Sequence, residues 1–144
     1  MVRVPVLIVG TGPVGLSTAL ALSRFGIHSL LVERHPATSI HPKARGINVR
    51  TMEVFRQWEL EPAVRAAGLP PAQLQFMRAS TLANANFSRT RTDWTSDTLQ
   101  AISPTSGLLC SQDVLEPVLL DQLRRMGLVA FGTKLSQLEQ HHEA

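Results

Sequence analysis

Three glycines, at positions 10, 12 and 15, interrupt an apolar run that extends from Val6 to Arg34, VLIVGTGPVGLSTALALSRFGIHSLLVER. The run has three readings: a secretory signal, a membrane span, or a strand, turn and helix. Arg3 ahead of it and Ala19-Leu20-Ala21 within it superficially suit a signal peptide. Gly10-Thr11-Gly12-Pro13 would break such a helix, and Arg24 arrives too early for a span of about 20 residues. The third reading accounts for every feature. Residues 4–9 are short, β-branched and end at glycine, as a buried parallel strand does. Pro13 suits a first helical turn, where a missing N–H costs little, and Gly26 suits a helix end. Residues 29–32 form a second apolar run, closed by Glu33. The expected unit is α/β, with a right-handed crossover between two parallel strands.

Gly10-Thr11-Gly12-Pro13-Val14-Gly15 fits G-x-G-x-x-G. In such a turn Gly10 leaves the strand tightly, Gly12 admits a pyrophosphate close to the backbone, and Gly15 lets helix and strand approach. Free N–H groups at the helix start then face the phosphates. Glu33, eighteen residues beyond Gly15, stands where a carboxylate accepts both ribose hydroxyls of an adenosine and repels a 2′-phosphate. The pattern predicts a Rossmann-like dinucleotide site and leaves NAD and FAD open.

Composition narrows the partners. The 144 residues suffice for one domain with a core, and 44% apolar against 17% charged residues describes a globular chain. The net charge is +3, from twelve Arg and two Lys against eleven acidic residues. The arginines are scattered, and the chain has no Tyr to interleave with them, which argues against nucleic acid as a partner. A lone Cys110 excludes an internal disulfide and fits a reducing, cytoplasmic setting. With no local His partner it reads as a small buried hydrophobe rather than a nucleophile. His141 and His142, adjacent near the end, lack ligand partners at helical spacing, so no metal is expected.

Further along, the spacing predicts helices over 47–58, 61–67 and 113–126, the last capped by Asp113 with Glu116 completing a capping box. Strands are expected at 74–78, 81–87, 128–131 and 135–138.

Two segments carry a resemblance. HPATSIHPKARGINVRTMEVFRQW, following LLVER, resembles the flavin-dependent aromatic hydroxylases of the p-hydroxybenzoate hydroxylase type, above all the branch acting on phenols and aromatic polyketides. CSQDVLEPVLLDQLRRMG is similar to the same family's next signature. The resemblance implies a Rossmann-like FAD-binding fold over residues 1–144. It implies that Gly10, Gly12, Val14 and Gly15 line the FAD pyrophosphate, that Glu33 takes the ribose and that Arg34 lies near the adenine. Arg45 and Gln112 match residues on the flavin side; a guanidinium can grip a phosphate in two-pronged fashion. The implied reaction takes hydride from NAD(P)H onto FAD, activates oxygen and hydroxylates an electron-rich aromatic ring, with the protein positioning the cofactor and excluding water.

Two departures accompany the likeness. Glu59 stands where the family often has a helix-ending glycine, so either a left-handed non-glycine costs about 1 kcal/mol or the helix runs on. The family continues for several hundred residues and returns to the sheet with a strand and a Gly-Asp signature, and this chain has no Gly-Asp pair. The expectation is therefore an incomplete fold without the substrate half and with no assignable catalytic residue. The edge at residues 4–9 is then left open to self-association or to a completing polypeptide. The competing reading is a non-catalytic module that holds a dinucleotide, or nothing, on the same turn.

Overall fold

The computed structural model describes residues 3–69, 76–81, 83, 88–90, 101–125 and 128–140. The chain divides into two compact units, Met1–Pro42 with Leu115–Ala144, and Lys43–Val114.

The first unit holds β1 (Val6–Val9), α1 (Pro13–Arg24) and β2 (Ser29–Val32), then β7 (Leu128–Ala130). The strands form one parallel sheet in the order β1-β2-β7, with Leu7 opposite Leu30 and Leu31 opposite Val129. Leu16, Ala19 and Leu20, three and four residues apart, are the buried stripe of α1. The helix ends as its glycine predicts. Gly26 has φ 71°, its N–H donates to the Ser23 carbonyl, and the Ile27 N–H donates to the Leu22 carbonyl. That pair of bonds is a Schellman motif, which satisfies carbonyls the helix end would orphan. Among the described residues β1 pairs on one side only, and Leu7 and Val9 are exposed.

The second unit contains β3 (Gly46–Ile47), α2 (Val49–Gln57), α3 (Glu61–Ala67), β4 (Phe76–Arg78), β5 (Ser88–Thr90) and β6 (Leu108–Leu109). β3 pairs antiparallel with β6, and β4 with β5. Met52, Phe55, Leu60, Val64 and Leu108 are buried in it. The expected helix over 47–58 is shorter at its start. Ile47 belongs to β3, and Asn48 caps α2 by accepting from the Thr51 N–H at 2.8 Å. Such a cap satisfies an amide that the helix itself cannot.

The helix α4 (Gln112–Arg124) begins one residue earlier than expected, so Asp113 lies inside the first turn instead of capping it. Glu116, nearly fully buried, accepts from the Ser39 N–H at 2.8 Å. The expected strand over 135–138 is not formed; those residues are irregular, with Leu138 exposed. The expected strand over 74–78 survives as β4, its first two residues lying outside the described ones. Most of the strand expected over 81–87 also lies outside them. Met126, Gly127, His141 and His142 do too.

The alternative posed by Glu59 is resolved. α2 stops at Gln57, and Glu59 takes φ 61°, the left-handed conformation of the helix-ending glycine it replaces. Glu59→Gly is expected to raise unfolding stability by about 1 kcal/mol, because glycine occupies that region without the Cβ penalty. Urea denaturation of both chains measures it, and an unchanged or lowered midpoint would refute the strain.

Candidate functional site

The glycine turn sits at the carboxyl end of β1, in the first unit. Gly10 leaves the strand at φ 104° while its N–H still donates to the Val32 carbonyl at 2.8 Å. The two other glycines differ in what a side chain would meet. A Cβ on Gly15 would lie 2.0 Å from the Gly10 carbonyl oxygen, so this glycine is required by the fold. A Cβ on Gly12 would meet nothing within 4 Å. Gly12 is the N-cap of α1, and no side chain caps the helix. Pro13 has no N–H, so the first free amides belong to Val14 and Gly15, beside open space. Val14 itself is exposed. The turn is an unobstructed, backbone-lined cradle at a helix N-terminus, the arrangement that suits a phosphate.

Glu33 completes this end. One carboxylate oxygen, Oε2, accepts from the Thr11 N–H at 3.0 Å and the Thr11 hydroxyl at 3.3 Å, and Oε1 accepts from the His35 N–H at 2.9 Å. Burial pushes the Glu33 carboxyl up, but the hydrogen bonds from the Thr11 and His35 backbones and the Thr11 hydroxyl outweigh it and hold it below its ordinary value. At neutral pH it is a fixed anion whose remaining lone pairs can accept hydroxyl donors. Thr11, almost fully buried, sets the orientation of that carboxylate. Its role was legible only as the variable residue of the motif. Arg34 donates from Nε to His35 Nε2 at 3.1 Å.

A pocket of about 290 Å³ opens against this carboxylate, between Val9, Gly10, Val32, Glu33 and Arg34 on one side and Thr133, Lys134 and Leu135 on the other. The second wall arises because the chain leaving β7 folds back. The Gly132 N–H donates to the His35 carbonyl at 3.0 Å and the Thr133 N–H to the Glu33 carbonyl at 2.8 Å. Sequence reasoning had no signal for Thr133 to Leu135, since their place depends on that return. The volume lies at the small end for ligand pockets and suits part of a dinucleotide.

Arg45 and Gln112 lie in the second unit, Arg45 just before β3 and Gln112 at the start of α4. The Cys110 N–H donates to the Arg45 carbonyl and the Gln112 N–H to the Ala44 carbonyl, each at 2.8 Å. These bonds continue the β3–β6 ladder. Cys110 is buried, and burial together with the Asp113 charge pushes its thiol up, away from nucleophilic use. The described residues contain no group of His, Cys, Asp and Glu able to hold a metal ion, and no described helix is long and apolar enough to cross a membrane.

A sequence-family model described as "FAD binding domain" matches residues 3–144. A Streptomyces halstedii protein that carries a polyketide hydroxylase name is 44% identical over 141 residues, covering 96% of this chain and 25% of that protein. Aklavinone 12-hydroxylase of Streptomyces purpurascens is 39% identical, covering 98% of this chain and 28% of its own length. The solved flavin-dependent monooxygenase PieE, in complex with FAD and substrate, superposes with a TM-score of 0.86 at 37% identity, covering 97% of this chain and 25% of that one. The chain thus spans about a quarter of the length of the relatives it matches.

Proposed function

The chain belongs to the family of FAD binding domains, and from that premise we propose that it is the FAD-holding portion of a flavin-dependent hydroxylase of aromatic, polyketide-class compounds. The observation that carries this reading is the open Gly12 cradle beside a carboxylate fixed by Thr11 and His35. On this reading Gly10, Gly12, Val14 and Gly15 receive the pyrophosphate, Glu33 accepts the ribose hydroxyls, and Arg34 flanks the adenine. Thr133 to Leu135 wall the adenosine pocket, and Arg45 and Gln112 serve the flavin side. FAD, when bound, supplies the redox chemistry, with NAD(P)H as transient reductant. The residues of this chain contribute binding and orientation. On this reading the aromatic-substrate pocket is formed by the part of such an enzyme outside the quarter that this chain matches. A cytoplasmic setting fits the single, buried thiol.

Titration of the folded chain with FAD tests the proposal, followed by quenching of flavin fluorescence, with NAD and NADPH as controls. Saturable FAD binding, weakened roughly tenfold or more by Glu33→Gln through loss of a charged acceptor, is the expected result. No FAD binding by a demonstrably folded chain would overturn it and favour the non-catalytic module.

The outer edge of β1, with Leu7 and Val9 exposed, is a template for an added strand from a completing polypeptide or a second copy. Size-exclusion with light scattering is expected to show species that grow with concentration. A sharp monomer peak with cooperative unfolding would remove this part of the reading.

A further inference from the structure

Glu61 opens α3 and is 9% exposed. Its Oε1 accepts from Arg65 Nε at 2.8 Å and from the Thr105 hydroxyl, and its Oε2 accepts from Arg56 Nη1 at 3.2 Å. Arg65 reaches on through Nη2 to the Thr105 hydroxyl at 2.7 Å and to the Ser106 carbonyl at 3.0 Å. In the same loop Ser103 donates to Glu53 Oε1 at 2.8 Å and accepts from the Thr105 N–H at 3.3 Å. Side chains from α2 and α3 thus grip residues 103–106 at several points. Two residues later that loop becomes β6.

β6 is also held from beyond. The Leu69 N–H donates to the Leu109 carbonyl at 2.8 Å, and a Cβ on Gly68 would lie 2.6 Å from the Leu108 side chain. The register of β6 on β3 decides where the Arg45 and Gln112 backbones stand, through the Cys110–Arg45 and Gln112–Ala44 bonds. A largely buried ion pair adds little net stability over apolar residues of the same shape, because desolvation offsets the attraction. What it does supply is fixed geometry, through five hydrogen bonds that join Glu61 to Arg56, Arg65 and Thr105 and Arg65 to Thr105 and Ser106.

We infer that Glu61 is a positioning residue: with Arg65 and Thr105 it latches the 103–106 loop and so sets the β6 register that places Arg45 and Gln112 for the flavin side of the cofactor. The cofactor end of this inference rests on the function proposed above, while the latch itself does not.

The test uses the full chain with Glu61→Gln, which keeps the shape and removes the charge, and with Thr105→Val as a milder second variant. Amide hydrogen exchange is followed by NMR at Cys110 and Gln112, with Gly10 and Glu33 of the first unit as references. FAD and ADP affinities are measured in parallel. Exchange at Cys110 and Gln112 is expected to quicken about tenfold while Gly10 and Glu33 stay unchanged. FAD affinity is expected to fall about tenfold and ADP affinity to hold, since ADP uses the first unit. In an Arg45→Ala background the FAD effect of Glu61→Gln is expected to vanish, as a residue acting through another requires. Unchanged exchange at Cys110 and Gln112, equal loss of ADP binding, or full additivity with Arg45→Ala would each overturn the inference. Should Glu61→Gln fail to fold, Thr105→Val decides by the same readouts. If the wild-type chain binds no FAD, the cofactor reading falls and the exchange data still decide the latch.

Discussion

Gly15→Ala is expected to cost the chain about 3 kcal/mol or more of stability, through a single added methyl group. The added Cβ would stand 2.0 Å from the Gly10 carbonyl oxygen and 3.2 Å from its carbon. Both are backbone atoms, so no rotamer change can relieve the contact. Gly10 cannot retreat easily either, because its N–H is bonded to the Val32 carbonyl and its φ of 104° already lies where only glycine is at ease. The remaining route is to lift α1 off β1 and β2, which would uncover Leu16, Ala19 and Leu20. A domain has only about 5–15 kcal/mol in hand, so a loss of that size should lower the melting temperature by roughly 10 °C. Differential scanning calorimetry gives the answer, and an unshifted transition would mean that the turn is looser than its geometry.

The first unit was largely legible in the sequence because its signals are local and redundant. A β-branched run ending in glycine, a proline at a helix start and a glycine past its end each state the same element. Residues 61–67 were legible for similar reasons and match α3. What escaped has a physical cause in each case. β3 and β6 are two residues long, too short for any periodicity, and Ile47 continues the helical spacing of α2. The signal that separated them was present, since Asn48 is a strong N-cap type, but it was absorbed into the expected helix. Leu135 and Leu138 look like a strand on paper, yet the chain there leaves β7 and wraps back over Glu33. Thr11 and Thr133 owe their roles to contacts with Glu33, which no spacing rule encodes. Arg45 and Gln112 came from resemblance alone. Their shared ladder gives a reason for the two to move together, but their contact with a cofactor stays a proposal.

Acid should reveal which carboxylates the fold depends on. Burial pushes the Glu61 carboxyl up, but the hydrogen bonds from Thr105, Arg65 and Arg56 and the Arg65 charge outweigh it and hold it below the ordinary 4.5. A carboxyl whose value is lowered by folding stabilises the folded state fully above its unfolded value. That contribution is lost as the pH falls from 4.5 through the folded value. Stability measured by urea midpoint is therefore expected to drop over that window. Glu61→Gln should flatten the drop, and an unaltered pH profile in the variant would count against the latch as a source of it.

Gly12→Val is expected to do the opposite of Gly15→Ala: leave the fold standing and remove the ligand. Gly12 has φ −68° and ψ 175°, an extended conformation that valine adopts without strain. Its Cβ would project into space where no protein atom lies within 4 Å. The folded state should lose no more than about 1 kcal/mol, the cost of a poorer helix N-cap. A pyrophosphate seated on the Val14 and Gly15 amides would instead have to share that space with two methyl groups. Displaced, it would forfeit charge-assisted bonds to the helix end of about 1.5–3 kcal/mol, so FAD affinity is expected to fall roughly 100-fold. The two readouts must be taken on one sample, calorimetry for the fold and flavin fluorescence for the ligand. A variant that keeps both its melting temperature and its FAD affinity would place the cofactor somewhere other than on this turn, and the open cradle would then have to be explained without it.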